Sequence, residues 1–372
     1  MIPKHILSRW RQKKISTKMK PFASRLSRAE QGFIRRLPKA EIHLHFEGSI
    51  LPATLLQLAQ KYGDSLIRTS ADAEWAFVFS TSQEFFEQFL RVSSFLRETD
   101  DFYLAAKEMA GRLLEDRIEY AEFMFSPMKF IRAGLDYAEM IAAIERGLLE
   151  GCQDSALDFR FIIDVVRDLG PEMGMEMLRI VEANPHPHVV GVGLGGGENY
   201  PPEDSEEVFA YAAGMGLSKT AHAGEGRGPQ SIWGALRSLQ VKRIDHGVRA
   251  VEDPELMRYL AENRITLNVC LTSNVMLGVA STYEAHPFRK LYEQGIPLTL
   301  STDDPTFFQT TLCAEMEKLV HYGQLELERL PELSAQALWA AFLPEENKEA
   351  MRRTFQRESE AALEELKSHG VS

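Results

Sequence analysis

Short apolar runs alternate with amphipathic segments along most of the chain. After residue 36, eight runs have the length of strands, and several are continuously apolar, as in strands buried on both faces. Between them, apolar residues recur at helical spacing. The predicted strands are 40–45, 118–125, 159–165, 189–194, 219–222, 243–246, 266–270 and 298–302. Such alternation predicts parallel β-α-β units.

Eight units in about 300 residues predict an α/β fold, the closed (β/α)8 TIM barrel. An open doubly wound sheet is the runner-up, but no predicted strand is followed by the G-x-G-x-x-G turn that opens a helix in that fold. The connection between the first two strands, 46–117, is long. We therefore expect extra helices after the first strand, covering the barrel mouth.

The composition suits a soluble globular protein with a large core. The chain has 372 residues, of which 44% are hydrophobic and 26% charged. It lacks the 18 uninterrupted apolar residues of a membrane span. Its three cysteines are far apart and form no C-x-x-C pair, which indicates a reducing compartment and excludes a Cys-ligated zinc domain. We expect a cytoplasmic protein with no membrane partner.

Charge divides the chain into two parts. Residues 1–36 carry eleven Lys and Arg against Glu30, a net charge of +10; since the whole chain carries −12, residues 37–372 carry −22. We interpret 1–36 as a basic N-terminal extension that is poorly ordered, and 37–372 as the barrel domain. The acidic body does not suit a nucleic-acid partner.

A histidine pair ends the first predicted strand. His43 and His45 stand two positions apart, so their side chains project from the same face of a strand. Gly48 turns the chain just after them. Two neutral imidazoles side by side are half of a first-row metal site, although a pair alone equally fits polar residues that close a strand.

Other polar residues collect at the ends of later strands, where a (β/α)8 barrel carries its active site. His222 ends the fifth strand and Glu225 follows it, His246 ends the sixth, and Asp303 and Asp304 end the eighth. Taken singly, each fits a polar strand cap or a helix start. Together, a third imidazole and a carboxylate would complete a zinc site, and a histidine suits proton transfer near neutral pH.

Five motifs, in a fixed order, are similar to those of one family. They are PKAEIHLHFEG (38–48), TAHAGE (220–225), DHG (245–247), TSNV (272–275) and STDDP (301–305). Each is weak alone, but five in order at strand ends make a specific signal. The chain resembles the adenosine deaminase family of zinc aminohydrolases, in the amidohydrolase superfamily, whose fold is a zinc-containing (β/α)8 barrel.

The resemblance implies one Zn²⁺ per chain, held by His43, His45, His222 and Asp303. A water or hydroxide would take an open position and be activated by the metal. His246 resembles the residue that accepts the water's proton and orients the hydroxide. Glu225 resembles the acid that protonates the purine nitrogen next to the reacting carbon. To donate that proton, Glu225 needs a raised pKa, which burial or ligand contact supplies.

The implied enzyme is a hydrolase of C–N bonds other than peptide bonds. It would release the 6-amino group of an adenosine-type purine nucleoside as ammonia and leave an inosine-type product. The resemblance gives Asp304 a hydrogen bond to the five-membered ring, and Gly196 a backbone N–H at the other ring edge. The implied partner is a small purine nucleoside or base.

Three positions depart from the family pattern and leave the substrate open. Glu47 stands where adenosine-specific members commonly have an Asp that holds the sugar, and resembles members acting on free adenine or modified nucleosides. Gly193 and Gly197 stand where Asp is common, so we expect extra space and less negative charge there. The runs 228–235 and 284–289 are similar to aminodeoxyfutalosine deaminases of menaquinone synthesis. The alternative substrates are therefore aminodeoxyfutalosine and free adenine.

Three other functions were weighed against the same residues. A cytidine-deaminase site is excluded, because the sequence lacks the P-C-x-x-C run that would complete the signature begun by His45 and Glu47. A binuclear amidohydrolase needs a bridging lysine or carboxylate on the fourth strand, and 189–194 offers none. A non-catalytic nucleoside-binding barrel would be favoured by a missing ligand or a missing acid, and none is missing.

Overall fold

A single ring of parallel strands forms the centre of the protein. The computed structural model describes residues 22–153, 155 and 157–368. Each of the eight strands pairs in parallel with the next in sequence, and a bridge between Leu44 and Asp303 joins the last strand to the first. The predicted (β/α)8 barrel is confirmed. The strands are β1 Lys39–His45, β2 Ile118–Phe125, β3 Asp158–Val166, β4 Val189–Gly195, β5 Ser218–Ala223, β6 Arg243–His246, β7 Thr266–Val269 and β8 Leu298–Leu300.

Helices occupy the connections between the strands. The helices are α1 Arg28–Arg36, α2 Pro52–Lys61, α3 Ser70–Trp75, α4 Ser82–Ser93, α5 Thr99–Glu115, α6 Met128–Ile131, α7 Tyr137–Cys152, α8 Pro171–Ala183, α9 Glu206–Gly214, α10 Pro229–Gly234, α11 Pro254–Glu262, α12 Leu271–Met276, α13 Phe288–Glu293, α14 Leu312–His321, α15 Leu330–Ala340 and α16 Glu345–Ser368. Four of them, α2 to α5, lie between β1 and β2, which confirms the extra helices after the first strand. Within the described ranges, no helix is both long and apolar enough to cross a membrane.

A chain of hydrogen bonds crosses the buried faces of β5 to β8. The Thr220 hydroxyl donates to Asp245 Oδ2 (2.7 Å), the Asn268 amide donates to Asp245 Oδ1 (2.6 Å), and the Thr299 hydroxyl donates to Asn268 Oδ1 (2.9 Å). All four side chains are buried. Because a buried polar group left unpaired costs about 1–3 kcal/mol, this network penalises any change in strand register.

The end of the basic segment differs from the expectation of a poorly ordered extension. Residues 28–36 form α1, which begins at Ser27 with a capping box completed by Glu30. Phe33 and Ile34 on this helix are fully buried in the main hydrophobic core. Two apolar side chains on one helical face thus outweigh the basic composition. The rest of the predicted extension, residues 1–21, lies outside the described residues.

Gly147 allows α7 to pack closely on α5. A Cβ at this position would lie 2.4 Å from the Tyr103 carbonyl oxygen and 2.7 Å from the Ala106 Cβ. We predict that Gly147→Ala lowers the free energy of unfolding by about 1–3 kcal/mol, because the two helices must separate. Urea unfolding followed by circular dichroism measures the change.

Gly111→Ala is the matched control, because Gly111 lies on α5 and no described atom lies within 4 Å of its added Cβ. Alanine favours a helix over glycine by about 0.5–1 kcal/mol, so the control is expected to be neutral or stabilising. Equal losses in both variants would contradict close packing as the cause.

Candidate active site

Three imidazoles and one carboxylate converge at the carboxyl ends of the strands. The Nε2 atom of His222 lies 3.1 Å from His43 Nε2 and 3.2 Å from His45 Nε2. Asp303 Oδ1 lies 3.3 Å from each of those two histidine nitrogens. β1, β5 and β8 supply these side chains, which are far apart in sequence. The structure thus brings together all four predicted metal ligands.

Four of the spacings between these atoms suit a shared zinc ion. Ligand distances of about 2.0–2.1 Å place neighbouring ligands about 3–3.4 Å apart, close to the 3.1–3.3 Å that separate His222 and Asp303 from the two histidines of β1. His222 Nδ1 lies 3.0 Å from the Leu194 carbonyl oxygen, so its hydrogen lies there and its Nε2 carries a lone pair. Carboxylates of Asp245 and Asp164 face the outer nitrogens of His43 and His45, at 3.8 and 3.6 Å. Outer acceptors of this kind orient histidine ligands toward a metal.

Two of the site residues have unusual backbone conformations. His246 has φ 65° and Asp303 has φ 66°, both in the left-handed region. Non-glycine residues adopt it at a cost of about 1–3 kcal/mol, and such residues cluster at active sites. At Gly48, a Cβ would lie 1.8 Å from Asp304 Oδ1, so only glycine lets that carboxylate approach β1.

A relay of hydrogen bonds assigns the tautomer of His246. The Phe288 backbone N–H donates to His286 Nδ1 (3.1 Å), so neutral His286 carries its hydrogen on Nε2 and donates it to Asn274 Oδ1 (3.1 Å). The Asn274 amide then donates to His246 Nδ1 (3.2 Å). The hydrogen of neutral His246 is therefore on Nε2, which faces Glu225 and Asp303. Burial lowers the pKa of both histidines to about 3, so both are neutral.

Glu225 lies in a turn that another carboxylate holds in place. Glu198 accepts hydrogen bonds from the backbone N–H groups of Gly224 (2.7 Å), Glu225 (3.2 Å) and Arg227 (2.6 Å). Glu225 Oε1 is buried, has no hydrogen-bond partner among the described residues, and lies 3.7 Å from His246 Nε2. Burial, together with the nearby Asp303 carboxylate, raises the pKa of Glu225 well above its ordinary value. The site therefore favours the protonated form of Glu225.

A cavity of about 650 Å³ opens above these residues. Its lining includes Asp304 and Gly196, as predicted, and an apolar wall from α4 formed by Phe85, Phe86, Phe89 and Leu90. Burial, together with the Asp303 carboxylate, raises the pKa of Asp304, and Asp304 Oδ1 has no hydrogen-bond partner in the described chain. The cavity therefore has one apolar side and one densely polar side.

Glu47 lies beneath the cavity, whose lining among the described residues does not include it. It is 1% exposed; its Oε1 accepts a hydrogen bond from the Ser126 backbone N–H (3.2 Å) and lies 3.5 Å from Lys129 Nζ. Lys129 and Ser126 line the cavity instead. Burial lowers the pKa of Lys129. The second carboxylate oxygen of Glu47, Oε2, is buried and has no hydrogen-bond partner among the described residues.

The expectation of extra space and less negative charge at Gly193 and Gly197 is wrong. A Cβ on Gly193 would lie 2.4 Å from Asp164 Oδ1, and one on Gly197 would lie 3.1 Å from Asp168 Oδ1. Asp164 lies on β3, Asp168 follows this strand, and both line the cavity. Carboxylates from the neighbouring strand and the turn after it therefore occupy the space beside the two glycines.

A second histidine cluster lies away from this cavity. His186 Nε2 and His188 Nδ1 lie 3.4 and 3.1 Å from the Glu145 carboxylate, and all three residues are partly exposed. The two histidines immediately precede β4, at the end of the barrel opposite the cavity. The sequence spacing assigned them no ligand role, and they do not join the four convergent ligands.

Several residues around the site were missed from the sequence. Asn274 belongs to the TSNV motif and Glu198 follows the glycine-rich run, so both had a local signal. Arg167 had none: it is buried after β3 and donates hydrogen bonds to the carbonyl oxygens of Gly195 (3.3 Å) and His222 (2.6 Å). Its role depends on which strands become neighbours, and a local sequence pattern does not predict this.

A (β/α)8 barrel with a buried His/Asp ligand set at its strand ends defines an amidohydrolase-type enzyme. The model of the adenosine deaminase family matches residues 38–357. The chain belongs to this family and is a hydrolase of C–N bonds other than peptide bonds.

The chain is similar along most of its length to deaminases with different names. It is 34% identical over 325 residues to an adenine deaminase of Hahella chejuensis, covering 86% of this chain and 96% of that protein. It is 33% identical over 315 residues to an aminodeoxyfutalosine deaminase of Streptomyces avermitilis, covering 84% and 88%. A zinc-bound amidohydrolase structure from Burkhoderia ambifaria superposes with a TM-score of 0.84 at 27% identity, covering 93% and 98%.

Proposed function

We propose that this enzyme removes the 6-amino group of an adenine-type purine by hydrolysis, with one Zn²⁺ held by His43, His45, His222 and Asp303. The observation that carries the proposal is the convergence of four metal-binding donor atoms, 3.1–3.3 Å apart in four pairs, beside the buried Glu225 Oε1. When bound there, zinc would supply a nucleophile near neutral pH by lowering the pKa of a coordinated water.

Glu225 acts as the proton donor. Its raised pKa keeps the carboxyl group protonated near neutral pH, so it can protonate the ring nitrogen next to C6. That proton stays on the ring nitrogen and makes C6 more electrophilic. The hydrogen of the hydroxyl added at C6 moves to the amino group, which leaves as ammonia while C6 becomes a carbonyl carbon. Glu198 positions Glu225 by binding the backbone of its turn.

His246 orients the attacking oxygen. Two roles were predicted, accepting the water's proton and orienting the hydroxide, and its hydrogen-bond partners favour the second. Because Asn274 donates to Nδ1, the Nε2 atom of neutral His246 carries a hydrogen and cannot accept another. That N–H can donate to an oxygen between Glu225 and Asp303.

Asp304 and Gly196 hold the purine ring at two edges. The raised pKa of Asp304 leaves a hydroxyl hydrogen that can be donated to a nitrogen of the five-membered ring. Gly196 has φ 87°, and an added Cβ would lie 2.1 Å from Asp168 Oδ2, so the residue needs to be glycine for its backbone to reach the opposite edge.

Free adenine is the first candidate substrate, in place of the adenosine-type nucleoside predicted from sequence. Relatives that are 34–39% identical are adenine deaminases, and Glu47, where the family commonly has the Asp that holds the sugar, is not among the described residues that line the cavity. Aminodeoxyfutalosine is the second candidate, because about 650 Å³ and an aromatic wall exceed the needs of a single base. A nucleotide fits poorly, because several carboxylates and, among the described lining residues, a single lysine would face its phosphate.

We predict one zinc ion per chain after zinc loading, and loss of that ion in His43→Ala, because one of the four proposed ligands is removed. His186→Ala is the matched control, since His186 belongs to the separate cluster with Glu145. Plasma mass spectrometry of folded, desalted protein measures the metal. Two ions per chain, or equal loss in both variants, would contradict the proposed centre.

Glu225→Gln is expected to keep its zinc and lose most turnover, about 100-fold or more, because the amide cannot donate the ring proton. In the wild type, kcat should fall as the pH rises through the raised pKa of Glu225, since only the protonated form is active. Glu182→Gln, which removes an exposed partner of Tyr211, should not change kcat. Near-wild-type turnover in Glu225→Gln would show that the acid has been misassigned.

A panel of possible substrates tests the proposed reaction. Ammonia release should be measured with adenine, adenosine, 2′-deoxyadenosine, methylthioadenosine, S-adenosylhomocysteine and aminodeoxyfutalosine. We expect the highest kcat/KM for adenine, or for aminodeoxyfutalosine if the aromatic wall binds a substituent. A higher kcat/KM for adenosine than for adenine would contradict the proposed choice of substrate. Zinc-loaded protein that deaminates none of the six would overturn the proposal.

A further inference from the structure

Asp164 is a buried carboxylate in the cavity for which the proposed reaction has no task. It is 1% exposed and lies on β3, near the carboxyl end of the strand. Its Oδ2 accepts a hydrogen bond from the Ser126 hydroxyl (3.4 Å) and lies 3.6 Å from His45 Nδ1. Its Oδ1 is buried and has no hydrogen-bond partner within the described residues. A carboxylate oxygen removed from water needs a donor, and Asp164 is among the residues that line the cavity, where a ligand would bring one.

The position of Asp164 depends on the absence of a side chain on β4. A Cβ on Gly193 would lie only 2.4 Å from Asp164 Oδ1, too close for the carboxylate to stay where it is. The neighbouring carboxylate differs, because Asp168 Oδ2 accepts the Gly197 backbone N–H (2.7 Å). Asp168 therefore holds the loop after β4, while Asp164 offers an unused acceptor.

The order of the strands around the barrel matches the order of polar atoms around a purine. In the proposed function, Glu225 after β5 binds the nitrogen next to C6, Gly196 after β4 reaches the far edge of the six-membered ring, and Asp304 after β8 binds the five-membered ring. These contacts correspond to N1, N3 and N7. On the purine, N9 is the next nitrogen after N3 on the way to N7. On the barrel, β3 is the next strand after β4 in the direction away from β5, and β3 carries Asp164.

We propose that Asp164 is a substrate-binding residue that accepts a hydrogen bond from a donor at the N9 edge of the purine. In free adenine the donor is the N9 ring N–H, and in a nucleoside it is a hydroxyl of the sugar attached there. This inference rests on the proposed function. It makes β3 contribute to substrate choice, through a carboxylate that occupies the space beside Gly193 on β4.

The main competing explanation is that Asp164 only orients His45 through Nδ1. That role would affect every substrate equally, because it acts through the metal ligand. Recognition at N9 would instead distinguish ligands that differ only in the donor at that position. Equilibrium binding can separate the two roles without any turnover.

The experiment measures dissociation constants by calorimetry in the zinc-loaded Glu225→Gln background, with adenine, 9-methyladenine and adenosine as ligands. Adding Asp164→Asn should weaken adenine about 10- to 100-fold, because a hydrogen bond to a charged acceptor is lost. 9-Methyladenine, which has no donor at N9, should change little. If adenosine is weakened and adenine is not, the donor is a sugar hydroxyl and Asp164 keeps its assigned role.

Asp168→Asn is the matched control, and it should weaken all three ligands alike, because it acts through the backbone of the loop after β4. If Asp164→Asn does not fold, Gly193→Ala displaces the same carboxylate without removing it and should act in the same direction. Equal weakening of all three ligands, or loss of zinc, in Asp164→Asn would overturn the inference. Failure of the proposed function is distinguishable, because the wild type would then deaminate no purine.

Discussion

The seam between β8 and β1 is the constraint on which the rest of the structure depends. The Asp303 backbone N–H donates to the His43 carbonyl oxygen (3.2 Å), and the Asp303 carbonyl oxygen accepts from the His45 N–H (2.9 Å). These bonds join the first strand to the last and also place the Asp303 carboxylate against both histidine rings. The same residue therefore closes the barrel and contacts both histidines. Its left-handed backbone conformation is part of both arrangements.

The polar residues inside the barrel extend this coupling. Asp245 is held by Thr220 and Asn268 and faces the outer nitrogen of His43. The relay from His286 through Asn274 assigns His246 a hydrogen on Nε2. In both cases a neighbouring residue bears on the orientation or the tautomer of a histidine. Residues that do not contact the substrate can in this way affect whether a ring nitrogen donates or accepts.

The carboxylates beside β4 come from β3 and the turn after it. Gly193 and Gly197 leave room on β4, and Asp164 and Asp168 occupy this room. The proposed substrate contact of Asp164 is therefore made by a residue other than the proposed metal ligands and Glu225. Under this proposal, substrate choice can change while the proposed ligands and Glu225 stay in place.

Strand periodicity and the five motifs were sufficient to predict the eight strands and the family. They also predicted that His43, His45, His222 and Asp303 lie close together, because strand ends of one barrel must meet. Local sequence did not show that Phe33 and Ile34 anchor α1, that Glu47 lies behind Lys129, or that Asp164 fills the space at Gly193. These depend on which side chains become neighbours across strands, a property of tertiary packing. The sequence by itself determined the chemistry of the ligand set, and the tertiary structure decided which residues face the substrate.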